Sequence, residues 1–260
     1  MTMRFLGTMT AVFLSICVLM YLVATGVIAS GKQPWSVLKA HTQANQTLVE
    51  VGSWCSGTII DAENGLVVTA AHCTERVHIK KYIKVTKPSG EQVRYLIDRY
   101  EPIYVTLHKF SDTGEDIGFI KYKMLVRGAV YPQDVAILQN VSDEKFTGQV
   151  TVSLAPLRYG DRVMTVGNPM MFFQTIAEGR VTKPKLTLDV GSGPVETIAF
   201  DSFMAPGSSG GGLFNDYGEL VGITDWGIAG GPYLASPVQN VINLLNELGF
   251  GKTDRIASVQ

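Results

Sequence analysis

The chain has 260 residues, a net charge of −1 and 46% hydrophobic residues. This charge balance gives no electrostatic reason to expect nucleic acid or an acidic surface as a partner. The length is sufficient for one or two domains with a substantial hydrophobic core.

The N-terminal segment from Phe5 to Gly31 contains no charged side chain. About 20 apolar residues are enough to cross a bilayer, whereas the apolar region of a cleaved signal peptide is only about 7–15 residues long. We therefore expect residues 1–31 to anchor the protein in a membrane, with a signal peptide cut after Ala29 as the alternative. Residues 32–47 are mostly polar and are interpreted as a linker with at most one short helix.

From residue 48 the sequence predicts a β-rich chain, because short apolar or β-branched runs alternate with turn residues, and Asn64-Gly65 is typical of a hairpin turn. The predicted strands are 48–52, 57–60, 66–70, 79–85, 93–98, 104–107, 117–120, 135–138, 162–166, 179–183, 197–200, 212–214, 220–224 and 233–236. Apolar residues at helical spacing after Ser236-Pro237 predict a helix with Ser236 as its N-cap. Residues 251–260 are expected to form a tail.

The stretch Phe203–Gly212 reads Phe-Met-Ala-Pro-Gly-Ser-Ser-Gly-Gly-Gly. Glycine weakens helices and strands, so this stretch favours a tight turn that exposes a hydroxyl and several backbone N–H groups. A nucleophilic serine needs both, because N–H donors stabilise the oxyanion that its attack creates. Taken alone, such a run is more often a flexible loop.

Two other stretches change this interpretation. His72 follows shortly after an apolar strand, and Asp134 opens the apolar run Val135–Leu138. His72, Asp134 and Ser209 follow one another in the chain order of the chymotrypsin-like triad. Ser208 is the alternative nucleophile, and Asp116 is the alternative acid.

Three blocks of sequence carry a family resemblance: Thr69–Cys73, Asp134–Leu138 and Pro206–Gly211. They resemble the signature blocks of trypsin-fold serine peptidases, and the text between 159 and 181 and from 212 to 223 resembles the HtrA-like branch. The resemblance implies an all-β fold of two six-stranded Greek-key barrels, here 48–146 and 147–250, with a C-terminal helix. No domain-sized sequence follows, so the PDZ module common in this branch is not expected.

The resemblance implies a serine endopeptidase that acts on polypeptides without a cofactor. Ser209 would attack the peptide carbonyl, His72 would take and return the proton, and Asp134 would orient and stabilise the imidazole. The N–H groups of Gly207 and Ser209 would form the oxyanion hole.

Cys55 and Cys73 match the pair that forms a disulfide beside the catalytic histidine in the trypsin family. Two cysteines without a C-x-x-C spacing fall short of a metal ligand set, so no metal is expected, and two buried free thiols are the alternative. A disulfide requires an oxidising compartment. This places the catalytic domain outside the cytosol, in the periplasm or the extracellular space, and the protein is secreted if the N-terminal segment is cleaved.

The resemblance also assigns substrate contacts to Phe203, Met204, Ala205, Trp226 and Gly227, with a further wall from 230–232. The floor of the primary pocket holds no acid, and a buried Lys or Arg without a counter-charge costs several kcal/mol. We therefore expect cleavage after small or medium aliphatic residues. The alternative is that the phenylalanine is a core residue and the floor lies elsewhere.

Two positions depart from the family pattern. Ser208 replaces the aspartate that pairs with a newly cut N-terminus, so zymogen activation of that kind is not expected. Asp225 replaces the serine that supports the catalytic acid. A second carboxylate near Asp134 would raise one pKa, so we expect Asp225 to point to solvent, unless the alignment slips here.

Two other function classes remain open. One is a catalytically silent, membrane-tethered peptide-binding module of the same fold. The other is an esterase, whose serine usually lies on a Gly-x-Ser-x-Gly elbow and is followed in the chain by the acid and the histidine. Residues 207–211 fit that spacing, but His72 precedes the serine.

Overall fold

The computed structural model describes residues 35–189, 191, 193–227 and 231–250, and within them the chain is built mainly of β-strands. The strands are β1 (Leu48–Val51), β2 (Cys55–Asp61), β3 (Leu66–Thr69), β4 (His78–Thr86), β5 (Gln92–Tyr100), β6 (Ile103–Phe110), β7 (Asp116–Val130), β8 (Val135–Asn140), β9 (Thr151–Val152), β10 (Arg162–Gly167), β11 (Thr175–Asp189), β12 (Pro194–Phe200), β13 (Gly212–Asn215), β14 (Glu219–Gly227) and β15 (Tyr233–Pro237). The α-helices are α1 (Val37–Thr47) and α2 (Val238–Glu247), and 3₁₀ turns lie at Ala71–Val77 and Pro169–Met171.

The first barrel closes in the strand order β1-β2-β3-β8-β7-β6. Every residue of β2 and β3 is buried, because the two faces of these strands belong to different cores. Ile59 and Val67 lie in the core of this barrel, whereas the side chains on the other face pack in the core shared with the second barrel and the helices. Strands β3 and β8 are antiparallel, and Thr69 at the end of β3 pairs with Ala136 near the start of β8. This register brings the residues just after β3 next to those just before β8.

The second barrel has the order β13-β10-β11-β12-β15-β14 and closes through the pairing of β13 with β14, while β9 adds a parallel edge strand to β14. Its interior includes Val163, Phe200 and Leu213. A further core cluster joins strands of both barrels with the two helices, so the barrels pack directly on each other. The two barrels and the C-terminal helix confirm the predicted all-β fold class.

Strands β4 and β5 form a separate two-stranded hairpin, and among the described strands they pair only with each other. The hairpin follows the 3₁₀ turn Ala71–Val77 directly, and the N–H of Glu101 donates to the carbonyl of Val77 to close its base (2.8 Å). Both strands were predicted, but their separation from the barrel was not.

The described part of 32–47 is a packed helix, which differs from the linker interpretation. The Ser36 hydroxyl caps α1 by accepting from the N–H of Lys39 (3.3 Å), and Ala40 and Ala44 are buried one turn apart. Trp35 is also buried, and its N–H donates to the carbonyl of Asp216 in the second barrel (2.6 Å). The alanines do not form an apolar pattern strong enough to predict a packed helix from the sequence. Their small side chains nevertheless allow the helix to lie close to the barrels.

The predicted C-terminal helix is present, but its predicted N-cap is wrong by one residue. Ser236 still belongs to β15, where it pairs with Ile223, and Pro237 is the N-cap of α2. The Ser236 hydroxyl instead accepts from the side-chain amide of Asn240 (2.9 Å). Strand pairing therefore extends further than the capping pattern indicated.

Across the residues with described structure, no helix is both long enough and apolar enough to cross a membrane. The expected anchor or signal segment, 1–31, and the expected tail, 251–260, lie outside the described residues.

Candidate active site

The glycine-rich stretch forms a tight turn between β12 and β13. The N–H of Ser208 donates to the carbonyl of Ala205 (2.9 Å), and Gly207 has φ +100°, a conformation that side-chain-bearing residues rarely adopt. Gly210 has φ +86°, and a Cβ there would lie 2.2 Å from the carbonyl oxygen of Ser56. The turn therefore needs glycine at both positions, for backbone conformation and for close approach.

The two serines of this turn have different surroundings. Ser208 is buried (4% exposed), and its hydroxyl accepts from the N–H of Ala205 (3.2 Å). Ser209 is half-buried, and its hydroxyl donates to the backbone carbonyl of Asp225 (3.1 Å). The accessible hydroxyl is thus the one that the sequence pattern favours as nucleophile.

Two backbone N–H groups next to the Ser209 side chain have no hydrogen-bond acceptor in the described part of the protein. Within the described residues, the N–H groups of Gly207 and Ser209 donate to no protein acceptor. The carbonyl of Pro206, on the other side of the Pro206–Gly207 peptide, accepts from the N–H of Met170 (2.6 Å) and is thereby held. Both N–H groups therefore remain available to a ligand, and oxyanion stabilisation uses free backbone donors of this kind.

His72 and Asp134 are joined by two hydrogen bonds. The Nδ1 of His72 lies 2.6 Å from Oδ2 of Asp134, and the backbone N–H of His72 donates to Oδ1 (2.8 Å). Asp134 is buried and adopts φ +54°, and its carbonyl accepts from the N–H of Ala71 (3.1 Å). Because both oxygens of the carboxylate bind the same residue, the imidazole is held in one orientation.

Two opposing effects act on the pKa of His72. Burial disfavours the charged ring, but the hydrogen bond to Asp134 and the charges of Asp134 and Glu75 outweigh it and raise the pKa above its ordinary value of 6.5. A ring with a raised proton affinity is a stronger base, as proton abstraction from a hydroxyl requires.

The alternative acid, Asp116, lies elsewhere. It is exposed at the start of β7, where its Oδ1 accepts from the N–H of Gly118 (2.8 Å). The structure brings Asp134, and not Asp116, to His72.

The expectation that Asp225 points to solvent is wrong. Its side chain is 4% exposed, its Oδ2 accepts from the N–H of Ser236 (2.7 Å), and its Oδ1 is buried without a hydrogen-bond partner among the described residues. Burial and the charge of Asp134 raise the pKa of this carboxyl well above its usual value, although the Ser236 N–H acts in the opposite direction. The carboxyl therefore sits beside the proposed triad and favours its protonated form.

Cys55 and Cys73 form a disulfide, as the resemblance implied. The bridge joins β2 to the turn that carries His72, and the indole N–H of Trp54 donates to the carbonyl of Cys73 (3.1 Å). Both sulfurs lie within 4.8 Å of a ring nitrogen of His72, but in the bridge they offer no thiolate to a metal.

Sequence reasoning missed Ser56, which connects the first barrel to the serine turn. Its hydroxyl donates to the carbonyl of Gly207 (2.7 Å) and accepts from the N–H of Asn168 (2.8 Å), while its own N–H donates to the carbonyl of Ser209 (2.8 Å). No pattern around this residue indicated such a role, because the contact spans about 150 residues of sequence.

The residues assigned to substrate contact differ in how far they are exposed to solvent. Phe203 is 49% exposed, which argues against the core alternative, while Met204 is buried in the core of the second barrel. Ala205 and Trp226 are half-buried and Gly227 is exposed. Phe203 borders a recess of about 10 Å³, and residue 230 of the expected opposite wall lies outside the described residues.

Comparison with known proteins adds independent information. The family model for a trypsin-like peptidase domain matches residues 55–223. The Serine protease Do-like HtrA of Lactobacillus helveticus is 32% identical over 103 residues, covering 35% of this chain and 25% of that protein. The Periplasmic serine endoprotease DegP of Salmonella typhimurium is 27% identical over 171 residues, covering 65% and 29% respectively. The chain thus spans less than a third of the length of either relative.

A crystal structure of the serine endoprotease from Yersinia pestis has a similar fold. The match has a TM-score of 0.56 at 20% sequence identity and covers 85% of this chain and 69% of that one. The family model matches well over half of the chain and includes the segments that carry His72, Asp134 and Ser209. The chain therefore belongs to the trypsin-like peptidase domain family, as an HtrA-like member of the trypsin-fold serine peptidases.

Proposed function

We propose that the chain is a serine endopeptidase that cleaves polypeptides through Ser209, His72 and Asp134. The observation that carries the proposal is the bidentate hold of Asp134 on His72, in the same site as an accessible serine hydroxyl flanked by two free N–H donors. Family membership supports the reaction class, and the relatives named above are described as serine proteases.

In this mechanism His72 takes the proton of the Ser209 hydroxyl as the oxygen attacks the peptide carbonyl. The N–H groups of Gly207 and Ser209 stabilise the oxyanion, and loss of one such donor typically costs about 2.7–4 kcal/mol of transition-state stabilisation. His72 then gives its proton to the leaving amine, and water repeats the sequence on the acyl-enzyme. In the described structure the Ser209 hydroxyl donates to the carbonyl of Asp225, so it must rotate toward His72 for attack.

The proposal is tested by single substitutions and a covalent label. Ser209→Ala and His72→Ala should each abolish peptidase activity, and the double variant should be little worse, because triad members act as a unit. Ser208→Ala is the matched control and should retain most activity. A fluorophosphonate probe should label the wild-type protein at Ser209. Absence of labelling in folded protein would favour the silent peptide-binding module.

For specificity we propose cleavage after small or medium aliphatic residues. Phe203 and its neighbours offer an apolar, shallow surface, and the recess beside Phe203 is about the size of one water molecule. A peptide library should show preference for Ala, Val, Leu or Ile before the scissile bond. Preference for Arg or Lys would contradict this assignment.

For location we propose that the catalytic domain works outside the cytosol, held at the membrane by residues 5–31. The disulfide supports an oxidising compartment, and the Salmonella relative is described as periplasmic. Carbonate extraction should leave the protein in the membrane fraction. Mature protein that begins at Ser30 would show instead that the segment is a cleaved signal.

A further inference from the structure

The β4–β5 hairpin carries an excess of positive charge. Between His78 and Tyr100 there are six Lys or Arg residues and two Asp or Glu residues, a net charge of +4 in a chain whose net charge is −1. Both acids are already paired, Asp98 with Lys80 (3.1 Å) and Glu91 with Lys87 (2.9 Å). The remaining cations of the hairpin have no carboxylate on the hairpin itself.

The strand register places two of these cations, Lys84 and Arg94, directly opposite each other on one face of the hairpin. Directly opposite residues of an antiparallel pair project to the same side, and the opposed pairs on this face are Lys80 with Asp98, Tyr82 with Leu96, and Lys84 with Arg94. Two like charges placed directly opposite each other destabilise a hairpin. The Lys84–Arg94 pair is thus unfavourable in the isolated hairpin and would become favourable with an anion between the two cations.

Apolar surface lies next to the two cations. Tyr82 is 64% exposed and Leu96 is 47% exposed, and the Arg94 guanidinium stacks 5.0 Å from the centre of the Tyr82 ring. A ligand for this face would offer acidic groups to Lys84 and Arg94 and an apolar group to the Tyr82–Leu96 pair. An acidic polypeptide segment with an aliphatic or aromatic neighbour has this composition.

The hairpin is rooted at the proposed catalytic histidine. Its first residue, His78, follows the 3₁₀ turn that contains His72 without any linker. At about 3.3 Å per strand residue, Lys84 lies roughly 20 Å along the hairpin from its base. A polypeptide bound at Lys84 and Arg94 is therefore held near His72, but a peptide of a few residues is too short to reach both Lys84 and the proposed active site.

We propose that the face formed by Lys84, Arg94, Tyr82 and Leu96 is a docking site for acidic segments of polypeptide substrates. This inference rests on the proposed peptidase function. The site acts at a distance from the scissile bond, so it lowers the KM of long acidic substrates and leaves the chemical step unchanged.

The test uses the full chain and two substrates with the same cleavage sequence. The long substrate continues through a flexible spacer of about a dozen residues to an Asp/Glu-rich stretch, and the short one ends after the cleavage sequence. Lys84→Glu with Arg94→Glu should raise the KM for the long substrate roughly tenfold, since each exposed ion pair contributes a modest amount and both are reversed. The kcat and the cleavage of the short peptide should not change.

The matched control is Arg158→Glu with Lys183→Glu, which makes the same change of net charge at exposed positions of the second barrel. It should leave both substrates unaffected. The tenfold effect should shrink near 1 M salt, where the screening length falls to about 3 Å. The same KM in wild type and hairpin variant, or equal losses in the control, would overturn the proposal.

Two further outcomes are informative. If the wild-type protein cleaves neither substrate, the peptidase proposal fails, and binding of the labelled acidic stretch to the Ser209→Ala protein still tests the docking site by fluorescence anisotropy. If the hairpin reversal only weakens association with phosphatidylglycerol vesicles relative to phosphatidylcholine vesicles, the face binds anionic lipid and the substrate-docking proposal is wrong.

Discussion

The buried carboxyl of Asp225 has a measurable thermodynamic consequence. Burial and the nearby charge of Asp134 raise its pKa in the folded protein, while in the unfolded chain it titrates near its ordinary value of 3.8. Between these two pKa values the folded protein keeps a proton that the unfolded chain releases. Rising pH therefore favours unfolding, by about 1.4 kcal/mol for each pH unit that a single proton contributes.

The substitution Asp225→Asn isolates this contribution. The amide oxygen can accept from the Ser236 N–H as Oδ2 does now, and the neutral amide does not titrate. The free energy of unfolding of the variant, minus that of the parent protein, should rise with pH by about 1.4 kcal/mol per unit above pH 4. The rise should stop at the native pKa of Asp225, so the plateau measures that pKa.

Urea denaturation from pH 4 to pH 9, followed by tryptophan fluorescence, would provide the data. Both proteins should carry Ser209→Ala to prevent self-cleavage. Asp143→Asn removes one exposed carboxylate and controls for the change in net charge. If the stabilities of the parent and the Asp225→Asn protein depend on pH in parallel, the carboxyl is charged in the folded protein and the reasoning is refuted.

Three other predictions concern the same site. The acid limb of kcat/KM should have its midpoint above pH 6.5, because the neutral form of His72 is the base and its pKa is raised; a midpoint below 6.5 would contradict the cause assigned to the shift. Reduction of the Cys55–Cys73 bridge, which closes a loop of 18 residues, should lower the unfolding free energy by roughly 3 kcal/mol in denaturation curves with and without reductant. Ser56→Ala should lower the free energy of unfolding by about 1–3 kcal/mol, since it removes the partner of the buried Asn168 N–H and of the Gly207 carbonyl. It should also lower kcat more than Ser208→Ala does.

The sequence predicted the strands of both barrels and the placement of His72, because these depend on local patterns and on short motifs. It could not predict the burial of Asp225. A half-buried strand alternates inward and outward residues, but the first seven residues of β14 are all buried and the register shifts between Thr224 and Trp226. Because this part of β14 has no solvent-facing side, the Asp225 side chain is buried. The local sequence contains no pattern that indicates this burial.

The predictions of helix α1 and of the β4–β5 hairpin were incomplete for a similar reason, because both depend on contacts that the local sequence does not show. The alanines of α1 became informative only with a surface to pack against, and both hairpin strands were predicted without their neighbours being known. Which strand pairs with which is decided by contacts far apart in sequence. Local pattern therefore predicted the existence of elements better than their partners.

Because of the hydrogen bonds of Ser56, the conformation of the turn that carries Ser209 depends on both barrels. The turn is part of the second barrel, but Ser56 on β2 of the first barrel donates hydrogen bonds to its Gly207 and Ser209 carbonyls. If only one barrel has folded, these hydrogen bonds cannot form. In that state either His72 or Ser209 also lies in a part of the chain that is still unfolded. The proposed active site is therefore complete only after both barrels have folded and packed together.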